Sequence, residues 1–163
     1  MRKATSLVIF LVQVFSCSAV LFVIYMLLAI VDNDEVDLIS EVGLLVVQPI
    51  MGAIMIAITI ALCLIVGLPI RLNARLREWW MGKPLIPIVG GVAGLICLLF
   101  AFRTNLMEQA EVVRDGEPKL KLIPNGTLLI TGWFAIAFSL LHFYPQFIVQ
   151  YIVRWFTRPK PVM

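Results

Sequence analysis

Charge is missing from four long stretches of this chain: residues 7–31, 42–70, 85–102 and 128–153 contain no Asp, Glu, Lys or Arg. With 61% apolar and 14% charged residues, the 163-residue chain lacks the polar surface of a soluble domain. Each stretch approaches or exceeds the ~20 residues with which a helix crosses a bilayer core. Backbone groups in hydrocarbon must satisfy one another, so open strands are excluded and helices remain. The expected fold is an all-α membrane protein, a four-transmembrane-helix bundle forming a single membrane domain over residues 1–163.

Reactive residues are scarce as well. The three cysteines, Cys17, Cys63 and Cys97, are odd in number and lie inside apolar runs, which argues against a disulfide framework and for packing roles. One histidine, His142, cannot build a metal centre without further ligands. No G-x-S-x-G, H-E-x-x-H, phosphate-binding Gly-Lys loop or C-x-x-C pair occurs. The expectation is a non-enzymatic protein with no catalytic residues, no cofactor, no metal and no nucleic-acid partner. A cleaved leader is not expected at the N-terminus either, because the apolar run continues past Cys17 to Val31, too long for a signal core.

The charges that are present sort by sign. Of 13 basic residues, 9 fall in the N-terminus, the gap after the second run and the C-terminal tail, whereas the other two gaps hold 9 of the 10 acids. Basic residues near span ends stay on the cytoplasmic side. Both termini are therefore expected in the cytoplasm, and the location is a plasma membrane, or the inner membrane of a Gram-negative cell. Arg71, Arg75, Arg77, Arg154, Arg158 and Lys160 form the expected basic inner face, suited to anionic lipid or a cytoplasmic protein partner. Asp32, Asp34, Glu35 and Asp37 crowd the first outer loop.

Local patterns add detail between and within the runs. Leu72, Leu76, Trp79 and Trp80 recur at helical spacing ahead of Gly82 and Pro84, which predicts a short amphipathic cytoplasmic helix between the second and third spans. Glu111 to Arg114, the turn signal Asp115-Gly116 and the alternating Lys119 to Ile123 predict a small outer β-hairpin between the third and fourth. Pro49 is expected to kink the second span or mark its first turn. Small residues four apart permit close helix approach: Ala53, Ala57 and Ala61; Gly90 and Gly94; Thr131, Ala135 and Ser139. Composition alone leaves open whether those faces pack within one chain or between copies in a homo-oligomer.

Polar residues inside a span need partners. Gln13 and His142 fall at similar depths, and Gln146 lies four residues after His142, on the same face if the helix continues past Pro145. These three form the expected intramembrane polar cluster. The functional expectation is an oligomeric anchor or sensor that couples an outer-side signal to a cytoplasmic partner; the alternative is a homo-oligomeric ion channel with the acidic loop as its vestibule.

Overall fold

The computed structural model describes residues 2–32, 43–103, 105–114 and 117–143. Asp34, Glu35, Asp37, Gln146, Arg154, Arg158 and Lys160 lie outside them, so their expected groupings rest on sequence alone. The chain is mostly helical. The first apolar run forms α1, Arg2–Asp32, with Asp32 of the acidic group as its last residue. The second opens as a π-helical segment, Gly43–Val47, and continues as α2, Gln48–Val66. Pro49 explains the widened turn: it has no N–H to donate and its ring crowds the carbonyl of Leu45, four residues earlier, which a looser turn relieves.

The second run is expected to remain helical to Ile70, but it breaks at Gly67. A five-residue helix follows, α3, Leu68–Leu72. Asn73 then takes an extended conformation and caps α4, Ala74–Met81, its side chain accepting from the N–H groups of Arg75 and Leu76 at 3.0 and 3.3 Å. The amphipathic segment is therefore two short helices rather than one. Beyond Gly82 the chain turns by 71° into α5, Leu85–Ala101. Pro84 stands at the cap of α5 and Pro87 in its first turn, where no backbone donor is needed.

The hairpin forms β1, Glu108–Arg114, and β2, Glu117–Ile123, paired antiparallel from Glu108 opposite Ile123 to Arg114 opposite Glu117. The last apolar run forms α6, Gly126–Leu141. The sequence reading carried this run to Val153; among the described residues the helix closes at Leu141, and residues 144–153 lie outside them. The sequence is consistent with that end, since Pro145 has no N–H with which to donate to the carbonyl of Leu141. His142 is thus a cap residue rather than a mid-helix one, and Gln146, expected on its face, lies outside the described residues.

α6 is the central helix. It packs most extensively on α5 and also touches α2 and α1, which pack on each other. The core is built from Cys17 and Leu21 of α1, Ile56, Ile60 and Cys63 of α2, Leu98 of α5, and Trp133, Ile136, Ala137 and Leu141 of α6. All three cysteines are free. The exterior of α1, α2 and α5 is apolar too, with Phe15, Val23, Ile30, Ile54, Ile65, Val89 and Leu99 exposed. Water is a poor solvent for such a surface. Two segments, Leu7–Ile30 and Leu45–Val66, are 24 and 22 residues long with mean hydropathy 2.7 each, enough to cross a membrane. α6, at 16 residues, is a further apolar helix.

The small-residue patterns divide. Gly90 and Gly94 face α6: a Cβ on Gly94 would meet the carbonyl oxygen of Gly132 at 2.8 Å, and one on Gly90 the hydroxyl of Ser139 at 2.6 Å. This packing lies within the chain. Ala53, Ala57 and Ala61 instead face outward, and the buried side of α2 is carried by Gly52, Ile56, Thr59, Ile60 and Cys63. Of the third pattern only Ser139 is buried, Ala135 being half-buried and Thr131 exposed.

Within the core one hydrogen-bonded chain crosses from α6 to α2. The indole Nε1 of Trp133 donates to Thr59 Oγ1 at 2.9 Å, and that hydroxyl donates to the carbonyl of Met55 at 2.8 Å. Thr59→Val keeps the shape but leaves the indole N–H without an acceptor, at a cost of about 1–3 kcal/mol. Thr59→Ser is expected to retain most of the stability. Thermal unfolding in detergent distinguishes the two, and equal melting temperatures would contradict the assignment.

Candidate functional site

The last turn of any helix leaves carbonyl groups without intrahelical donors. At the end of α6 three consecutive ones, those of Leu141, His142 and Phe143, receive side-chain donors from three different elements. The guanidinium of Arg71, on α3, donates from an Nη atom to the Leu141 carbonyl at 3.1 Å. The indole Nε1 of Trp80, on α4, donates to that of His142 at 2.8 Å. The amide Nε2 of Gln13, on α1, donates to that of Phe143 at 2.8 Å. A single short stretch of backbone thus ties α1, α3 and α4 to the end of α6. Arg71 also places its cation at the negative end of the α6 dipole, worth about 0.3–1 kcal/mol and up to ~2 where partly buried.

His142 is the centre of this junction and is fully buried. Its ring stacks on Phe138 with centroids 4.3 Å apart, and the Trp80 indole meets Phe138 edge-on at 6.1 Å. Nδ1 lies 3.0 Å from the Phe138 carbonyl, which can only accept, so Nδ1 carries the proton. Nε2 points at Gly67, where a Cβ would overlap the imidazole. The break in the second apolar run therefore has a tertiary purpose: the gap after α2 makes room for the histidine. Arg71 in addition lies over the ring of Phe10, its guanidinium carbon 4.9 Å from the centroid.

Gln13 and His142, grouped in the sequence reading, both belong to this junction, but Gln13 bonds the carbonyl of Phe143 and His142 bonds that of Phe138. Arg71 departs from its expected place: it turns into the junction because the α6 carbonyls need donors, whereas Arg75 and Arg77 are exposed on α4. Trp80 makes a specific hydrogen bond, while Trp79 remains half-exposed with the Lys83 ammonium 4.5 Å from its ring. One sequence signal bears on part of this: Pro145, four residues after Leu141, has no N–H for the carbonyl that Arg71 occupies.

At the opposite end of α6 the hairpin is joined to the helices. Asn125 caps α6 by accepting from Leu128 N–H at 2.9 Å, donates its amide to Glu108 Oε1 of β1 at 2.8 Å, and donates its backbone N–H to the carbonyl of Ala101 at 3.0 Å, at the end of α5. Nearer the middle of the bundle, Tyr25 of α1 donates its hydroxyl to Gln48 at 2.6 Å and packs on Gly52 and edge-on to Trp133. Among the described residues no group of His, Cys, Asp or Glu is placed to hold a metal. Comparison with protein-family models, with curated proteins and with solved structures finds no match to this chain.

Proposed function

We propose that this chain is a non-enzymatic membrane subunit, an oligomeric anchor or sensor that couples an event at the hairpin to a cytoplasmic partner. In this reading α5 and α6, helped by the residues that flank them, join α1 and α2 as four crossings of a plasma membrane, with both termini, α3 and α4 in the cytoplasm and the hairpin outside. The observation that carries it is the continuity of α6. Its first turn is held by Asn125 to both the hairpin and α5, and its last turn is held by Arg71, Trp80 and Gln13 to the amphipathic helices and to α1. A packed helix is stiff along its axis, so displacement at one end reaches the other. Arg75, Arg77 and the basic tail then present the surface for an acidic protein or anionic lipid.

Gentle solubilisation followed by co-purification tests this. The native protein is expected to retain itself as an oligomer together with a cytoplasmic partner, and Trp80→Phe, which removes the donor but keeps the ring, is expected to release the partner while preserving the oligomer. Cysteines introduced in the hairpin should be labelled from outside intact cells, and ones in α4 only after permeabilisation. A strictly monomeric protein that retains nothing would refute the proposal. Cation currents from reconstituted protein that change when Asp32, Asp34, Glu35 and Asp37 are neutralised would replace it with the channel reading.

A further inference from the structure

The short helix α4 lies between two apolar helices and at a steep angle to the second, the chain turning by 71° from α4 into α5. Spans tilt by about 20° on average from the membrane normal, so α4 runs nearer the membrane plane than the normal. The apolar exterior reaches it from both sides. Val66, Leu68 and Leu72 are exposed before it and Leu85 and Val89 after it, Leu72 at 79% and Leu85 at 70%. Apolar side chains so open to water mark a surface that an apolar medium covers.

The residues of α4 are sorted by side. Leu76 and Trp80, one turn apart, form its half-buried side, from which Trp80 bonds the His142 carbonyl. Glu78, the one acid of the helix, is two residues from each of them and so lies on the far side, exposed. Arg75 and Trp79, also one turn apart, share an exposed stripe between these two sides. Lys83 continues the stripe past the end of the helix, its ammonium 4.5 Å from the Trp79 ring. Arg77, two residues from both Arg75 and Trp79, is exposed on the opposite flank. One indole is thus bordered by two cations, a guanidinium one turn before it and an ammonium over its ring. Indoles favour the headgroup level of a membrane, which is also where lipid phosphates meet basic side chains.

We propose that Arg75, Trp79 and Lys83 bind an anionic phospholipid, the two cations meeting the negative charge of its headgroup and the indole lying at the boundary with its acyl chains. This rests on the reading that α2 and α5 cross a membrane with α4 on its cytoplasmic side, and not on a signalling role. It commits this stripe to lipid rather than to an acidic protein, because the exposed apolar residues at both ends of α4 need an acyl environment that a soluble acidic partner does not supply.

Nitroxide quenching of Trp79, with the full chain reconstituted in phosphatidylcholine vesicles, tests the assignment. Trp79 emission is read in each background as the difference made by Trp79→Phe, and a nitroxide near the top of the acyl chain is carried by phosphatidylglycerol or by phosphatidylcholine at the same mole fraction. The phosphatidylglycerol probe should quench Trp79 more strongly. A basic residue at an anionic leaflet contributes about fivefold to association, so Arg75→Gln with Lys83→Gln should remove most of that preference. Arg77→Gln should keep it, because Trp79 reads the lipid on its own stripe. Equal quenching by the two probes in the native protein would overturn the proposal while leaving α4 at the membrane. No quenching by either, with Trp79 open to aqueous iodide, would overturn it together with the membrane placement on which it rests. A change in Trp79 emission on adding polyglutamate, in vesicles that show no preference for phosphatidylglycerol, would assign the stripe to an acidic protein instead.

Discussion

Gly94→Leu is expected to destabilise the chain by about 3 kcal/mol, at the upper end of what overpacking a tight interface costs. The reason is the nature of the neighbour rather than the space alone. A Cβ at Gly94 meets the backbone oxygen of Gly132 at 2.8 Å and the backbone nitrogen of Ile136 at 3.0 Å, and one at Gly132 meets the Gly94 oxygen at 2.6 Å. Backbone in two packed helices cannot give way locally, so α5 and α6 must separate along their length. Gly90 differs, because the atom in its way is the Ser139 hydroxyl, which can rotate. Gly91 differs further, with nothing closer than the Ser139 Cβ at 3.7 Å. Alanine is favoured over glycine in a helix by ~1 kcal/mol. Gly91→Ala is therefore expected to be neutral or stabilising, Gly90→Ala mildly unfavourable and Gly94→Ala clearly so. Thermal unfolding in detergent gives the order, and equal melting temperatures for Gly91→Ala and Gly94→Ala would refute it.

Which of these faces would pack was only half legible in the sequence, and the reason is physical. In a soluble helix, periodicity separates an apolar inside from a polar outside. In a membrane helix both sides are apolar, so a small-residue ladder marks a face without saying whether protein or lipid covers it. Gly90 and Gly94 face α6, whereas Ala53, Ala57 and Ala61 look outward, although the spacing is the same. The elements themselves were easier to read. Length and hydropathy bring out α1 and α2, and the Asp115-Gly116 signal between alternating residues brings out the hairpin. Local breaks were harder. Asn73 followed by a helical octet is a cap that could have been recognised, and so is the incompatibility of Pro145 with a bond to Leu141. What no local pattern contains is the meeting of Gln13, Arg71, Trp80 and the α6 carbonyls, since these residues are separated by 62 to 130 positions along the chain.

That junction supplies the second large expected effect. Gly67→Ala adds one methyl group, and at most positions after a helix end such a change is worth a few tenths of a kcal/mol. Here the methyl would occupy the volume of the His142 ring. The imidazole has little freedom to retreat, because it is stacked on Phe138 at 4.3 Å and its Nδ1 is bonded to the Phe138 carbonyl at 3.0 Å. Moving it shifts the backbone at residue 142, whose carbonyl is held by Trp80 at 2.8 Å, and strains the neighbouring bonds to Arg71 and Gln13. The loss should be about 3 kcal/mol or more, combining overpacking with the uncapping of buried carbonyls. His142→Ala alone removes the ring and leaves a cavity, which also destabilises. The two changes should not add. With the imidazole gone, the new methyl at position 67 fills part of the space it left, so the double variant is expected to be more stable than Gly67→Ala alone. Unfolding of the four proteins in the same detergent gives the coupling directly. Additive losses would mean that Gly67 and His142 do not share this space, and the account of why the second apolar run breaks where it does would fall with them.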